Sequence, residues 1–281
     1  MPKLGNLGFP PFTRAVKTLV FANVGVFVAM FVAGLVSPQI TNTVIAIFGL
    51  TPVAVMHGYV WQLVSYSFLH DPYSIFHLLF NMLGLWMFGA NVEQEWGARR
   101  FYEFYFFCVI GAALTTVAIA HTHLLGMSPN ATTVGASGGI FGLLVAFGIL
   151  FAEMRVYVYG IFPIQARWLA IIWSAIELYQ ALQGSSGGIN NVAHLGGALF
   201  ALIYMKALPR QGLGFATSEG YYGMINRFHK WKRRRAARKF EVYMREHDRS
   251  KYFDEYGNFR DPTSSDDEGK SNGEGRGGWV N

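Results

Sequence analysis

Six long apolar runs alternate with polar stretches along the chain, at residues 18–36, 74–92, 102–121, 137–153, 167–183 and 190–207. Each is close to the roughly 20 residues that an α-helix needs to cross a bilayer. The pattern therefore predicts six membrane helices. The first run follows a short, mildly basic segment, 1–17, with no small-residue cleavage pattern, and is expected to stay in the protein as a helix. Residues 37–73 are long for a connection yet apolar and aromatic: Ile45-Ala46-Ile47-Phe48, Val53-Ala54-Val55-Met56, Tyr59-Val60-Trp61. Such a segment is expected to lie in the membrane interface or dip into it beside the bundle, with Trp61, Tyr66 and Tyr73 at headgroup level. The third run opens on Phe101, Tyr102, Phe104, Tyr105, Phe106 and Phe107 and reads as a lipid-facing or scaffold helix.

Composition agrees with this plan. The 281 residues are 52% hydrophobic and 14% charged, against about 25% charged in soluble domains. The net charge of +6 is less informative than its distribution. With the N-terminus placed inside, every one of the 23 basic residues falls at or beyond an inside edge, and the outside stretches 37–73, 122–136 and 184–189 hold none. This positive-inside pattern predicts both termini in the cytoplasm. It also removes nucleic acid as a partner, because the charge is a topology signal plus one tail cluster. The lone Cys108 lies in an apolar run and can form neither an internal disulfide nor a zinc site.

Beyond residue 207 the chain changes character. A Gly-containing linker, Arg210 to Tyr222, precedes a basic stretch, Arg227 to Lys251, that is expected to be helical. It includes His229-Lys230-Trp231-Lys232-Arg233-Arg234-Arg235 and suits either anionic headgroups or a solvated topology anchor. Asp261 to Asn281 is rich in Ser, Gly and acid and is expected to be disordered.

Polar residues inside the apolar runs carry the candidate chemistry, since such groups are expensive in a bilayer. His77 and Asn81 are spaced i, i+4 and share a helix face. Alone they are as readily interhelical hydrogen-bonding groups as a functional pair. Ser137 opens the fourth run within Gly135-Ala136-Ser137-Gly138-Gly139, where backbone N–H groups at a helix start would favour developing negative charge. Gly138, Gly142 and Ala146 form a small-residue stripe on that helix, and Gly197, Ala198 and Ala201 form another on the His194 face of the last run. Two bare faces pack closely, so Ser137 and His194 are expected to meet at about 3 Å. Glu177, in the fifth run, reads as structural or interfacial. No carboxylate is then placed to orient His194, and the expected device is a dyad. His194 would take the proton from Ser137 as it attacks a carbonyl, and His77, Asn81 and the Ser137 N–H would hold the oxyanion.

These residues also stand in a recognisable series. Trp61-Gln62-Leu63-Val64-Ser65 with Phe68-Leu69-His70, His77-Leu78-Leu79-Phe80-Asn81-Met82, Phe88-Gly89 with Glu93, Gly97 and Arg100-Phe101, Gly135-Ala136-Ser137-Gly138, and Ala193-His194-Leu195-Gly196-Gly197 occur in order over residues 59–207. The series closely resembles the rhomboid intramembrane serine proteases. The resemblance implies an all-α membrane protein, a six-helix rhomboid-like bundle over 18–207 with a membrane-embedded first loop, an N-terminal cytoplasmic segment, 1–17, and a cytoplasmic tail, 208–281. It implies Ser137 as nucleophile and His194 as general base, His77 and Asn81 at the oxyanion, and Gly135, Gly138 and Phe141 in support. It implies lateral substrate entry gated by the fifth helix and the loop after it, membrane-protein substrates that are typically single-span, and no metal or cofactor. The oligomeric state stays open.

Two residues depart from the family pattern. Gln62 stands where Arg often follows the loop tryptophan, and Phe141 stands where Tyr often stacks on the histidine. The ring is what stacks, so the second change is expected to matter little. The competing readings are a non-catalytic member that retains membrane clients, whose relatives usually lack the serine or histidine, and a metal protease or transporter using His77, His121, His123 and His194, for which no HExxH and no pair of interrupted half-helices exists. The absence of a transit-type leader and the six-span plan point to a bacterial plasma membrane.

Overall fold

Gly97 redirects the chain in the middle of its longest helical run. The computed structural model describes residues 10–122, 125, 127–158, 161–183, 188–207 and 228–235, together with Tyr252, Phe253 and Asn258. Helix α1 spans Arg14–Val36 and α5 spans Ile75–His121. Within α5, Gly97 has φ 77° and ψ 160°, a backbone state open to glycine and strained for other residues. A Cβ added at Gly89 would lie 3.3 Å from the Phe101 ring. In an unbroken helix those positions would be about 18 Å apart. α5 is therefore two arms, 75–96 and 98–121, folded back on each other, and these correspond to the second and third apolar runs. Helices α6 (Ser137–Leu150), α7 (Ala166–Leu182) and α8 (Gly188–Ala207) follow.

α6 lies at the centre. Every residue from Gly138 to Gly148 is buried, against α5, α7 and α8. On the second arm of α5, Phe101, Phe104, Cys108, Val109, Ala112 and Ala113 are fully buried, so the third run is scaffold and its lipid-facing alternative is set aside. α1 and α7 lie outside. Phe21, Val28, Phe31 and Leu35 of α1, and Trp168, Ile171, Ile176 and Leu182 of α7, expose their side chains. Broad exposed apolar faces of this kind are what a lipid environment covers.

α1 begins at Arg14, four residues before the apolar run, because its free N–H groups find an acceptor. The buried Glu93 carboxylate accepts from the backbone N–H of Ala15 at 2.8 Å and of Val16 at 2.9 Å, and from the Thr13 hydroxyl. Replacing Glu93 with Ala strands two buried donors. It is expected to destabilise the fold by about 2–4 kcal/mol, read as a lower melting temperature in detergent.

The first loop is built, not irregular. It holds α2 (Pro38–Phe48), α3 (Pro52–Met56), α4 (Gln62–Ser65) and a 3-10 turn at Tyr66–Phe68. Gln62 is its internal tie. Its Oε1 accepts from Thr51 N–H at 3.0 Å, and its Nε2 donates to the carbonyls of Ala46 and Ile47. Trp61 and Tyr73 are exposed, whereas Tyr66 is 1% exposed and donates its hydroxyl to the Val109 carbonyl at 2.9 Å, which corrects its placement at headgroup level.

Two further expectations are corrected. The fourth helix stops at Leu150 rather than 153, and the all-α reading omitted a hairpin. β1 (Arg155–Val158) pairs antiparallel with β2 (Phe162–Gln165). Aromatic and β-branched residues favour a pleated pair here, and a 2.7 Å ion pair between Arg167 and Glu153 ties its base.

In the tail, residues 228–235 are helical and exposed, in line with the helix expected there. The Arg210–Tyr222 linker, the remaining basic residues and the Asp261–Asn281 segment lie outside the described residues, apart from Tyr252, Phe253 and Asn258, as do residues 1–9 and His123.

Candidate active site

The approach of α6 to α8 sets the site. A Cβ on Gly197 would lie 1.9 Å from the Gly138 carbonyl oxygen, and one on Gly138 would lie 2.7 Å from the Ala112 Cβ. Only bare backbones fit at this crossing. It brings Ser137, the first residue of α6, to His194, two turns into α8, with Ser137 Oγ 2.7 Å from His194 Nε2. Phe141, one turn along α6, stacks on the imidazole with ring centroids 4.4 Å apart and planes at 7°. Trp173 of α7 meets the Phe141 ring edge-on at 6.3 Å.

The segment entering Ser137 is held on three sides. Thr133 and Leu50 exchange backbone hydrogen bonds, both at 2.9 Å. The Thr133 hydroxyl donates to Asn190 Oδ1 at the start of α8, and Gly135 N–H donates to the Tyr66 carbonyl at 3.0 Å. Gly135 has φ 129°, and a Cβ there would lie 3.0 Å from His77 Nε2 and 3.7 Å from Ser137 Oγ. The bare Gly135 thus leaves one small space bordered by the serine and the His77 ring. Asp71 N–H reaches His77 Nδ1 at a long 3.5 Å. An acceptor Nδ1 leaves the proton on Nε2, the nitrogen beside Gly135. Asn81 is buried one turn further along and donates one amide hydrogen to the His77 carbonyl at 2.8 Å, leaving its second hydrogen. The N–H groups of the first turn of α6 have no side-chain cap.

His70, behind His77, is fully buried with ring centroids 5.1 Å apart, and neither of its nitrogens has a hydrogen-bond partner of good geometry. Burial lowers its pKa from 6.5 to about 4; the His77 ring adds to this and the Phe68 backbone opposes it. The folded pKa lies below the unfolded one, so the unfolded chain binds more protons between pH 6.5 and about 4. Stability is held above that window and falls as pH drops through it, by about 3 kcal/mol from this group. Thermal melts at pH 7.5 and 4.5 are expected to show a smaller fall for His70→Asn than for the unaltered protein.

A carboxylate does stand beside His194, which corrects the expectation that none is placed there. α7 turns Ala166, Ala170, Glu177 and Ala181 inward on one face. Glu177 Oε2 comes 2.9 Å from His194 Nδ1, with the side chains 10% and 17% exposed. The distance is that of an ion pair, but the approach is off the angle of a linear N–H···O bond, and neither atom has another hydrogen-bond partner. The signal for it was the pair of small residues, Ala170 and Ala181, flanking an intramembrane carboxylate on a packed face.

The fold is a helical bundle whose central helix starts on a serine, with a histidine on the neighbouring helix. A family model for the rhomboid domain matches residues 57–211. The chain belongs to the rhomboid family, which is known for intramembrane serine proteases. Rhomboid protein 1, mitochondrial, of Saccharomyces cerevisiae is 29% identical over 214 residues, 72% of this chain and 58% of the yeast protein. Rhomboid-like protein 11, chloroplastic, of Arabidopsis thaliana is 31% identical over 53% of each chain. Rhomboid protease AarA of Providencia stuartii is 30% identical over 45% of this chain and 49% of the bacterial protein. The chain spans about half the length of the curated relatives it matches.

Proposed function

We propose that this protein is an intramembrane serine endopeptidase that cleaves membrane-protein substrates, typically single-span, in or near their transmembrane segments. The observation that carries the reading is the 2.7 Å contact between Ser137 Oγ and His194 Nε2. In this reading Ser137 Oγ attacks the scissile carbonyl carbon while His194 Nε2 takes its proton. The oxyanion forms beside Gly135, where the His77 Nε2–H, the second Asn81 amide hydrogen and the N–H groups of the first turn of α6 are the donors. The tetrahedral intermediate collapses as His194 returns the proton to the leaving amine, and water repeats the sequence on the acyl-enzyme. Gly138 supports this by admitting α8, and Phe141 by holding the imidazole plane.

The depth of the site supports hydrolysis within the membrane. At about 1.5 Å per residue the 14 residues of α6 cover roughly 21 Å, short of the ~30 Å hydrocarbon core. At least one end of α6 then lies below the surface, and in this reading it is the Ser137 end. The six spans of the reading are α1, the two arms of α5, α6, α7 and α8, with the α2–α4 loop embedded beside them, α7 as the lateral gate and both termini cytoplasmic. The catalytic bundle is residues 18–207, and 208–281 is a tail whose basic part meets anionic headgroups or anchors the topology. Relatives with mitochondrial and chloroplastic names stand beside a bacterial one. They give the bacterial plasma membrane no support, and the localisation we propose is an integral membrane.

The test is the purified protein in liposomes with a fluorescent single-span reporter, with and without EDTA. Cleavage unaffected by EDTA, together with covalent capture of a fluorophosphonate at Ser137 by mass spectrometry, is the expected result. Reporters that bind but are never cut would favour the client-retaining reading. Cleavage that stops on chelation would favour a metal enzyme.

A further inference from the structure

The mechanism above leaves unused a buried carboxylate that stands beside His194. Glu177 lies at the Nδ1 edge of the His194 ring, with its Oε2 2.9 Å from Nδ1, while the ring's Nε2 is 2.7 Å from Ser137 Oγ. Along the described part of α7 the neighbouring inward residues are Leu169, Ala170 and Ala181, which offer the carboxylate no partner of their own. Asn191 of α8 bonds Gln180 of α7 at 3.1 Å, which ties the two helices at the level of the pair.

We infer that Glu177 is a positioning residue for His194, converting the Ser137–His194 pair into a Ser–His–Glu relay held across α6, α7 and α8. The inference rests on the serine-protease reading of the site. An ionised carboxylate only accepts, so it selects the tautomer with the proton on Nδ1 and leaves Nε2 bare toward Ser137. When Oγ–H breaks and Oγ bonds to the carbonyl carbon, the carbonyl π pair moves to oxygen and the proton moves to Nε2. The imidazolium then carries hydrogens on both nitrogens beside an ionised Glu177, in surroundings of low dielectric where opposite charges attract strongly. Glu177 stays ionised throughout, and the proton leaves on the amine when the C–N bond breaks. The present angle is off linear, and such contacts tighten when the reacting complex forms.

The experiment compares Glu177→Gln, Glu177→Asp and Ser137→Ala in liposomes, measuring kcat and KM for the reporter and the rate of fluorophosphonate capture at Ser137. That probe reads serine reactivity without demanding entry of a transmembrane substrate. Glu177→Gln is expected to lower kcat and the capture rate together by about ten- to a hundredfold, with KM unchanged. Glu177→Asp restores part of both. Wild-type kcat and capture rate in Glu177→Gln, or a change confined to KM, overturns the inference and leaves Glu177 as packing or part of the gate. Ring-nitrogen NMR of the unaltered protein gives an independent reading: a neutral His194 carries its proton on Nδ1, and a proton on Nε2 instead overturns the inference even when no variant folds. Cleavage surviving in Ser137→Ala marks failure of the serine-protease reading itself. Loss there with normal Glu177→Gln marks failure of the Glu177 role alone.

Discussion

Ser137→Ala is expected to abolish cleavage of a reconstituted single-span reporter while leaving the fold intact. The serine is the only hydroxyl placed on His194 among the described hydrogen bonds, through the 2.7 Å contact to Nε2. Without Oγ no acyl-enzyme forms, and the rate falls by about four to six orders of magnitude, below detection in most assays. His194→Ala lowers the rate to a similar floor, because an unassisted serine hydroxyl is a weak nucleophile. The double variant is no slower than either single one, since the two residues act as a unit. The melting temperature in detergent stays within a few degrees, because the alanine removes one oxygen and no packing. Independent, additive losses would show that the two residues do not share a proton.

Gly197→Ala carries the second large effect, and it reaches chemistry and stability together. The added methyl would meet the Gly138 carbonyl oxygen at 1.9 Å, its carbon at 2.8 Å and its Cα at 3.3 Å. All three are backbone atoms, so no side chain can rotate away. α8 must move off α6 by more than about 1 Å to restore ordinary contact distances. Displacement on that scale opens the Ser137–His194 contact and alone costs about a hundredfold in rate. The same shift loosens packing with α5, where a Cβ on Gly196 already would sit 2.7 Å from Thr115 Cβ. We expect cleavage to fall at least a hundredfold, with a melting temperature lower by several degrees. A variant that melts normally and cleaves at the wild-type rate would mean that the helices pack less tightly than these distances state.

Much of this site is legible in the amino-acid sequence. The stripe Gly138, Gly142, Ala146 and its counterpart Gly197, Ala198, Ala201 predicted the close helix pair, and the structure puts Gly138 and Gly197 in contact. The substitution of Phe141 for the family tyrosine kept its stacking, as the ring alone predicts. Harder to read were contacts set by helix rotation. On α7 the small residues Ala170 and Ala181 mark the packed face that holds Glu177, but spacing within one helix does not say which residue of a neighbouring helix it meets, so Glu177 reads only as structural or interfacial. Tyr66 misled for a related reason. An amphipathic ring suits a headgroup region, but its hydroxyl found the Val109 carbonyl inside the bundle.

Sequence alone carried the apolar runs, the uneven placement of basic residues between them, the small-residue faces and the ordered motifs that mark a rhomboid. Each depends on composition and local spacing, which tertiary structure does not alter. Tertiary packing alone set Gly97 as the point where the second and third runs fold back on each other, Glu93 as the cap of α1 from nearly 80 residues away, and Glu177 beside His194. Those are contacts between elements distant in the chain. Their partners are chosen by helix phase and crossing, which become defined when the helices pack.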